Sequence, residues 1–68
     1  MKTNAQTVGL AIKQLREKRG WYQRDLAKSA GLPVRTIGRI ERCEVDVRLS
    51  TLTKIARALG KKAKDLVP

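Results

Sequence analysis

Sixty-eight residues are expected to hold one small domain, with a core of a few interlocked aliphatics because Trp21 and Tyr22 are the only aromatic residues. Sixteen Lys and Arg against six acidic residues leave a net charge of +10, which favours a polyanion (DNA, RNA or an anionic membrane) without choosing among them. The lone cysteine, Cys43, excludes an internal disulfide, histidine is absent, and no apolar run reaches the length of a membrane span or signal-peptide core. A soluble protein without metal or cofactor is therefore expected, cytoplasmic and, in a bacterium, nucleoid-associated. No catalytic constellation is recognisable, so an enzyme is not expected.

The chain opens on polar residues 1–6, expected to fray, with Thr3 or Asn4 as the first cap. Val8, Ala11, Ile12 and Leu15 then recur at i, i+3, i+4 and i+7. That spacing predicts an amphipathic helix to Arg19, with Lys13, Gln14, Glu17 and Lys18 on its wet side. Arg16, one turn beyond Ile12, stands at the edge of the buried stripe, where a charge needs a partner. Gly20 ends this helix. A second is predicted over residues 23–30, with Leu26, Ala27 and Ala30 inward and Trp21 packed back on Leu26. Gly31 breaks it, and Pro33 suits the first positions of a third helix, which runs to about Arg42.

In that third helix Ile37 and Ile40 share a face with Glu41, with Val34 at its edge, while Arg35, Arg39 and Arg42 line the opposite face. One greasy side and one arginine stripe describe a helix clamped to a scaffold and aimed at an anion. Residues 43–47 read as a loop. A fourth helix follows over residues 49–59, with Leu49, Leu52, Ala56 and Leu59 on one stripe and Ile55 beside it. Gly60 stops it, and Ala63, Leu66 and Val67 predict a last short helical segment. The expected architecture is all-α, five short helices around one core.

Gly20, Gln23, Leu26-Ala27, Gly31-Leu32, Ile37, Ile40-Glu41, Leu52, Ile55-Ala56 and Leu59-Gly60 together resemble the phage repressor/Cro-type (xenobiotic-response-element-like) helix-turn-helix domain. The likeness spans about residues 8–67 and is specific, because Q-x-x-L-A-x-x-x-G-L and I-x-x-I-E recur with the right gap. It implies a helix-turn-helix over about residues 23–42, formed by the second and third helices, with the third entering the DNA major groove. Carried onto this chain, it puts base-edge contacts at Val34, Arg35 and Arg39, with Thr36 beside the backbone. Gln23 would donate to a phosphate, and a buried ion pair would join Arg16 to Glu41, each already noted as a charge on an apolar face. Arg35 and Arg39 suit guanine, whose O6 and N7 accept two parallel bonds, so G is expected in the contacted half-site. The methyls of Val34 suit thymine.

The chain also departs from that pattern. Tyr22, Pro33, Arg48 and Lys62 stand where small capping residues are common, and each forgoes a cap worth ~1 kcal/mol. Cys43 takes the place of a common glycine and Val47 that of a common loop proline. Two accounts stay open: an exchange of stability for phosphate contacts at Tyr22 and Arg48, or an engineered or redesigned chain. Arg42 and Arg48 flank the third helix and are further candidates for phosphates. Lys61, Lys62 and Lys64 serve either phosphates or solubility. Gly38 serves either close approach to DNA or helix packing, and Cys43 reads as an incidental thiol.

The leading expectation is sequence-specific binding of double-stranded DNA by a transcriptional regulator, as a monomer, a weak homodimer, or a dimer formed only on DNA. A protein-interaction module of an antitoxin or coactivator, or a charge-driven nonspecific nucleic-acid binder, are the alternatives.

Overall fold

The computed structural model describes residues 5–66. Four α-helices follow one another: α1 over Ala5–Lys18, α2 over Gln23–Ala30, α3 over Val34–Glu41 and α4 over Leu49–Ala58. Residues 63–66 form one 3-10 turn, Ala63–Leu66, and not the fifth α-helix expected from the sequence. Four residues cannot complete an i to i+4 ladder of any length, so the tighter i to i+3 bond takes over. The helix begins at Ala5, so Ala5 and Gln6 are helical where a frayed start was expected. Thr3, Asn4 and Val67 lie outside the described residues.

Each element contributes a fully enclosed aliphatic to one core: Ile12 from α1, Leu26 from α2, Ile37 and Ile40 from α3, Ile55 from α4 and Leu66 from the 3-10 turn. Burying a side chain of this size contributes about 1.5–3 kcal/mol against leaving it in water. Helix α3 packs between α1 and α2, while α4 packs on α2 and the 3-10 turn. Trp21, Val45 and Val47 close the edges, half-buried against the same cluster. One expectation fails here. Leu49 is 73% exposed, so the inward stripe of α4 is Leu52, Ile55, Ala56 and Leu59. Leu49 is the first residue of the helix, three positions ahead of its first buried residue, Leu52.

All four helices end alike. A left-handed residue closes each, at Gly20, Gly31, Cys43 and Gly60, with φ between 62° and 73°. At each end two backbone bonds close a Schellman turn; at α3 they run from Cys43 N–H to the Ile40 carbonyl and from Glu44 N–H to the Arg39 carbonyl, both 3.0 Å. Three of the four positions have glycine, for which this region carries no Cβ penalty. Cys43 holds it without that advantage.

At the helix starts the missing caps are as the sequence predicts. Tyr22, Pro33 and Arg48 supply no side-chain cap. The Asp25 carboxylate, however, accepts the Tyr22 N–H at 2.7 Å, and Asp65 accepts the Lys62 N–H at 2.9 Å. Each is the returning half of a capping box, supplied three residues downstream. Gly9 fixes one further approach: a Cβ there would collide with the Ile40 carbonyl oxygen and lie 3.2 Å from Cys43 Sγ. Helix α1 therefore crosses the end of α3 at a distance only glycine permits.

Candidate nucleic-acid interface

Helix α3 is divided lengthwise. Ile37, Gly38, Ile40 and Glu41 are buried, whereas Val34, Arg35, Arg39 and Arg42 are exposed, Val34 at 47%. Thr36 is half-buried at the border. The division follows from the period of the helix: positions three and four apart turn the same way, so the isoleucines that anchor it leave the arginines outward.

The buried side ends on a charge network. Glu41, with a side chain 2% exposed, accepts from Arg16 Nε at 2.7 Å and from Arg16 Nη2 at 2.9 Å, a bidentate pair between α1 and α3. Arg16 Nη1 donates to the Trp21 carbonyl at 2.7 Å. Gln23, the first residue of α2, donates its Nε2 to the same Glu41 carboxylate at 3.1 Å. Three elements are thus tied at one carboxylate, and no buried side-chain polar atom among the described residues lacks a partner. The carboxylate bond raises the pKa of the Arg16 guanidinium above its ordinary value, overcoming burial.

Gln23 is held at the point where the start of α2 meets α3. Its Oε1 and the Arg42 guanidinium both lie over Gly38, where a Cβ would stand 2.9 Å from Arg42 Nη1 and 3.5 Å from that oxygen. The nearer of the two contacts is with the far end of the flexible Arg42 side chain, so the two accounts of Gly38 both stay open. Tyr22, one residue earlier, is exposed, with the Arg24 guanidinium 4.9 Å above its ring. Arg48 is exposed at the N-cap of α4 and is tied to none of these groups among the described residues.

Sequence reasoning missed Glu44. Its carboxylate lies 2.7 Å from Arg42 Nε and 3.8 Å from Arg39 Nε, and the Arg42 bond holds it below the usual carboxylate range. The signal was an acid just past the arginines in R-C-E, read only as loop. Arg35 has no such partner among the described residues. No helix among them is long and apolar enough to cross a membrane.

The sequence profile of a helix-turn-helix family matches residues 12–66. The HTH-type transcriptional regulator SutR of Escherichia coli (strain K12) is 39% identical over 60 residues, which are 88% of this chain and 34% of SutR. The chain thus spans about a third of that relative's length. Among solved structures, the restriction-modification controller protein C.AhdI from Aeromonas hydrophila superposes with a TM-score of 0.87 at 31% identity, covering 91% of this chain and 94% of the controller. The hypothetical transcription factor NHTF from Neisseria gives 0.89 at 30% identity over 94% of this chain and 74% of its own. With its profile match, its relatives and its four-helix core in agreement, the chain belongs to the Cro/C1-type family of helix-turn-helix DNA-binding domains.

Proposed function

We propose that residues 1–68 act as one domain that binds double-stranded DNA sequence-specifically and serves transcriptional regulation, with α2, the turn after it and α3 as the helix-turn-helix. The observation that carries this reading is the lengthwise division of α3: Ile37, Ile40 and Glu41 fix it to the scaffold while Val34, Arg35 and Arg39 face outward. A helix held in this way fits the major groove, where Arg35 and Arg39 meet guanine O6 and N7 and Val34 meets a thymine methyl. Tyr22, Gln23, Thr36, Arg42 and Arg48 take the sugar–phosphate backbone, which sets register and supplies most of the affinity. One N–H of the Gln23 amide is engaged by Glu41, which leaves the second for a phosphate. The protein works in the cytoplasm as a monomer, or as a dimer formed on a two-fold site with half-sites about one helical turn apart.

Selection of bound duplexes from a randomised pool tests this directly. The expected outcome is a short recovered motif containing G, with Arg35→Ala or Arg39→Ala each relaxing one or two positions at ~1–3 kcal/mol of discrimination. A pool that emerges unenriched would leave only charge-driven binding.

A further inference from the structure

Arg39 and Arg42, exposed at the end of α3, face one carboxylate. Glu44 sits two residues past the C-cap of α3's last turn, and its place is set by the backbone: Cys43 turns left-handed and the Glu44 N–H closes onto the Arg39 carbonyl at 3.0 Å. From there one carboxylate oxygen reaches Arg42 Nε at 2.7 Å and the other stands 3.8 Å from Arg39 Nε. All three side chains remain about half exposed, within reach of a ligand.

We infer that Glu44 is a specificity-determining residue, which binds the guanidinium edge of Arg42 as a phosphate would, stands 3.8 Å from that of Arg39, and withholds both from unselected DNA. The inference rests on the reading of α3 as the DNA-facing helix. A carboxylate and a phosphate present the same kind of oxygen to the same N–H donors. A duplex of arbitrary sequence meets these arginines mainly through its phosphates, which must displace Glu44 or approach it against like charge. A matched site offers Arg39 two base acceptors in addition, and the loss of the carboxylate contact is then offset. Arg35, one turn earlier and without a carboxylate among the described residues, is not restrained in this way. Exposed pairs of this kind contribute little to stability, so removing the charge leaves the fold intact.

The test compares Glu44→Gln with Asp46→Asn, an exposed acid two residues away that pairs with nothing among the described residues. Binding of the full chain to a random-sequence duplex is followed by fluorescence anisotropy over a range of salt. Glu44→Gln is expected to tighten this binding about five- to tenfold and to steepen the salt dependence by about one phosphate contact. Asp46→Asn is expected to change it less than about twofold, as a general charge effect. Equal effects of the two variants would reduce Glu44 to net charge and overturn the inference, as would an unchanged or weaker Glu44→Gln. If neither the unaltered chain nor Glu44→Gln bound any duplex, the DNA reading would fall and the inference with it; duplex binding by the unaltered chain with no gain on Glu44→Gln would overturn the inference alone.

Discussion

Arg16 approaches Glu41 to 2.7 Å and Arg42 approaches Glu44 to the same 2.7 Å, yet the Glu41 side chain is 2% exposed and that of Glu44 46%. The two acids are three residues apart, on either side of the turn that ends α3. The first pair is bidentate, shares its carboxylate with Gln23 and joins three elements of the core. The second lies in water between neighbours on one short segment. Equal lengths therefore describe unequal interactions. Removing one partner of a buried pair leaves a charge largely shielded from water, whereas removing one partner of an exposed pair costs little folding stability because the other is already solvated.

Glu41→Ala should separate the two most sharply. It leaves the Arg16 guanidinium and the Gln23 amide without their acceptor, a loss of about 3–5 kcal/mol that lowers the Tm by more than ~10 °C in a domain of this size. A thermal melt near that of the unaltered chain would erase the distinction. Gly9→Ala strikes the same junction through packing, because its methyl meets a backbone carbonyl that cannot swing aside. The overpacking, toward the upper end of ~1–3 kcal/mol, exceeds the ~1 kcal/mol that alanine gains in helix propensity. Denaturant titration should find it less stable, and a more stable variant would mean that α1 and α3 can part freely. Cys43→Gly acts on the turn between the two acids and should raise stability by about 0.5–1 kcal/mol in the same titration, as glycine relieves the left-handed strain. Glu44→Gln should leave the melt where it is. The carboxylate's lowered pKa gives whatever it adds a definite sign: present above the unfolded carboxylate's ordinary value, lost as the pH falls through the lower folded one. A large drop in Tm at neutral pH would place Glu44 with Glu41.

The same contrast marks what could be read in the sequence. Arg16 and Glu41 stood out because each is a charge on an otherwise apolar face, and a misplaced charge is conspicuous in a helical repeat. Ile12, Leu26, Ile37 and Ile55 were legible by the same period, and all four are fully enclosed. Glu44 follows a helix, where periodicity stops, and its reach back to Arg39 and Arg42 depends on the hand of one backbone turn. Gly9 was silent for another reason. A glycine within a helix carries no mark of what crosses above it, and only the position of the Ile40 carbonyl gives it a role. Leu49 misled because an apolar residue in register with a stripe need not have a neighbour to cover it. Asp25 and Asp65 were overlooked because the cap was sought at the first residue of each helix and not three residues along.

The left-handed residue at Cys43 has a kinetic consequence as well. The other three helix ends are locked by glycines at ease in that conformation; the end of α3 is held by the same pair of backbone bonds against a side chain that disfavours it. Fraying is thus easiest at the helix that carries the arginines. Under native conditions the Cys43 and Glu44 amides should exchange with deuterium faster than those of Gly20 and Trp21, which close the equivalent turn of α1. The arginine-bearing face would then be adjustable at its far end, while the anchor at Glu41, two residues before Cys43, stays shut.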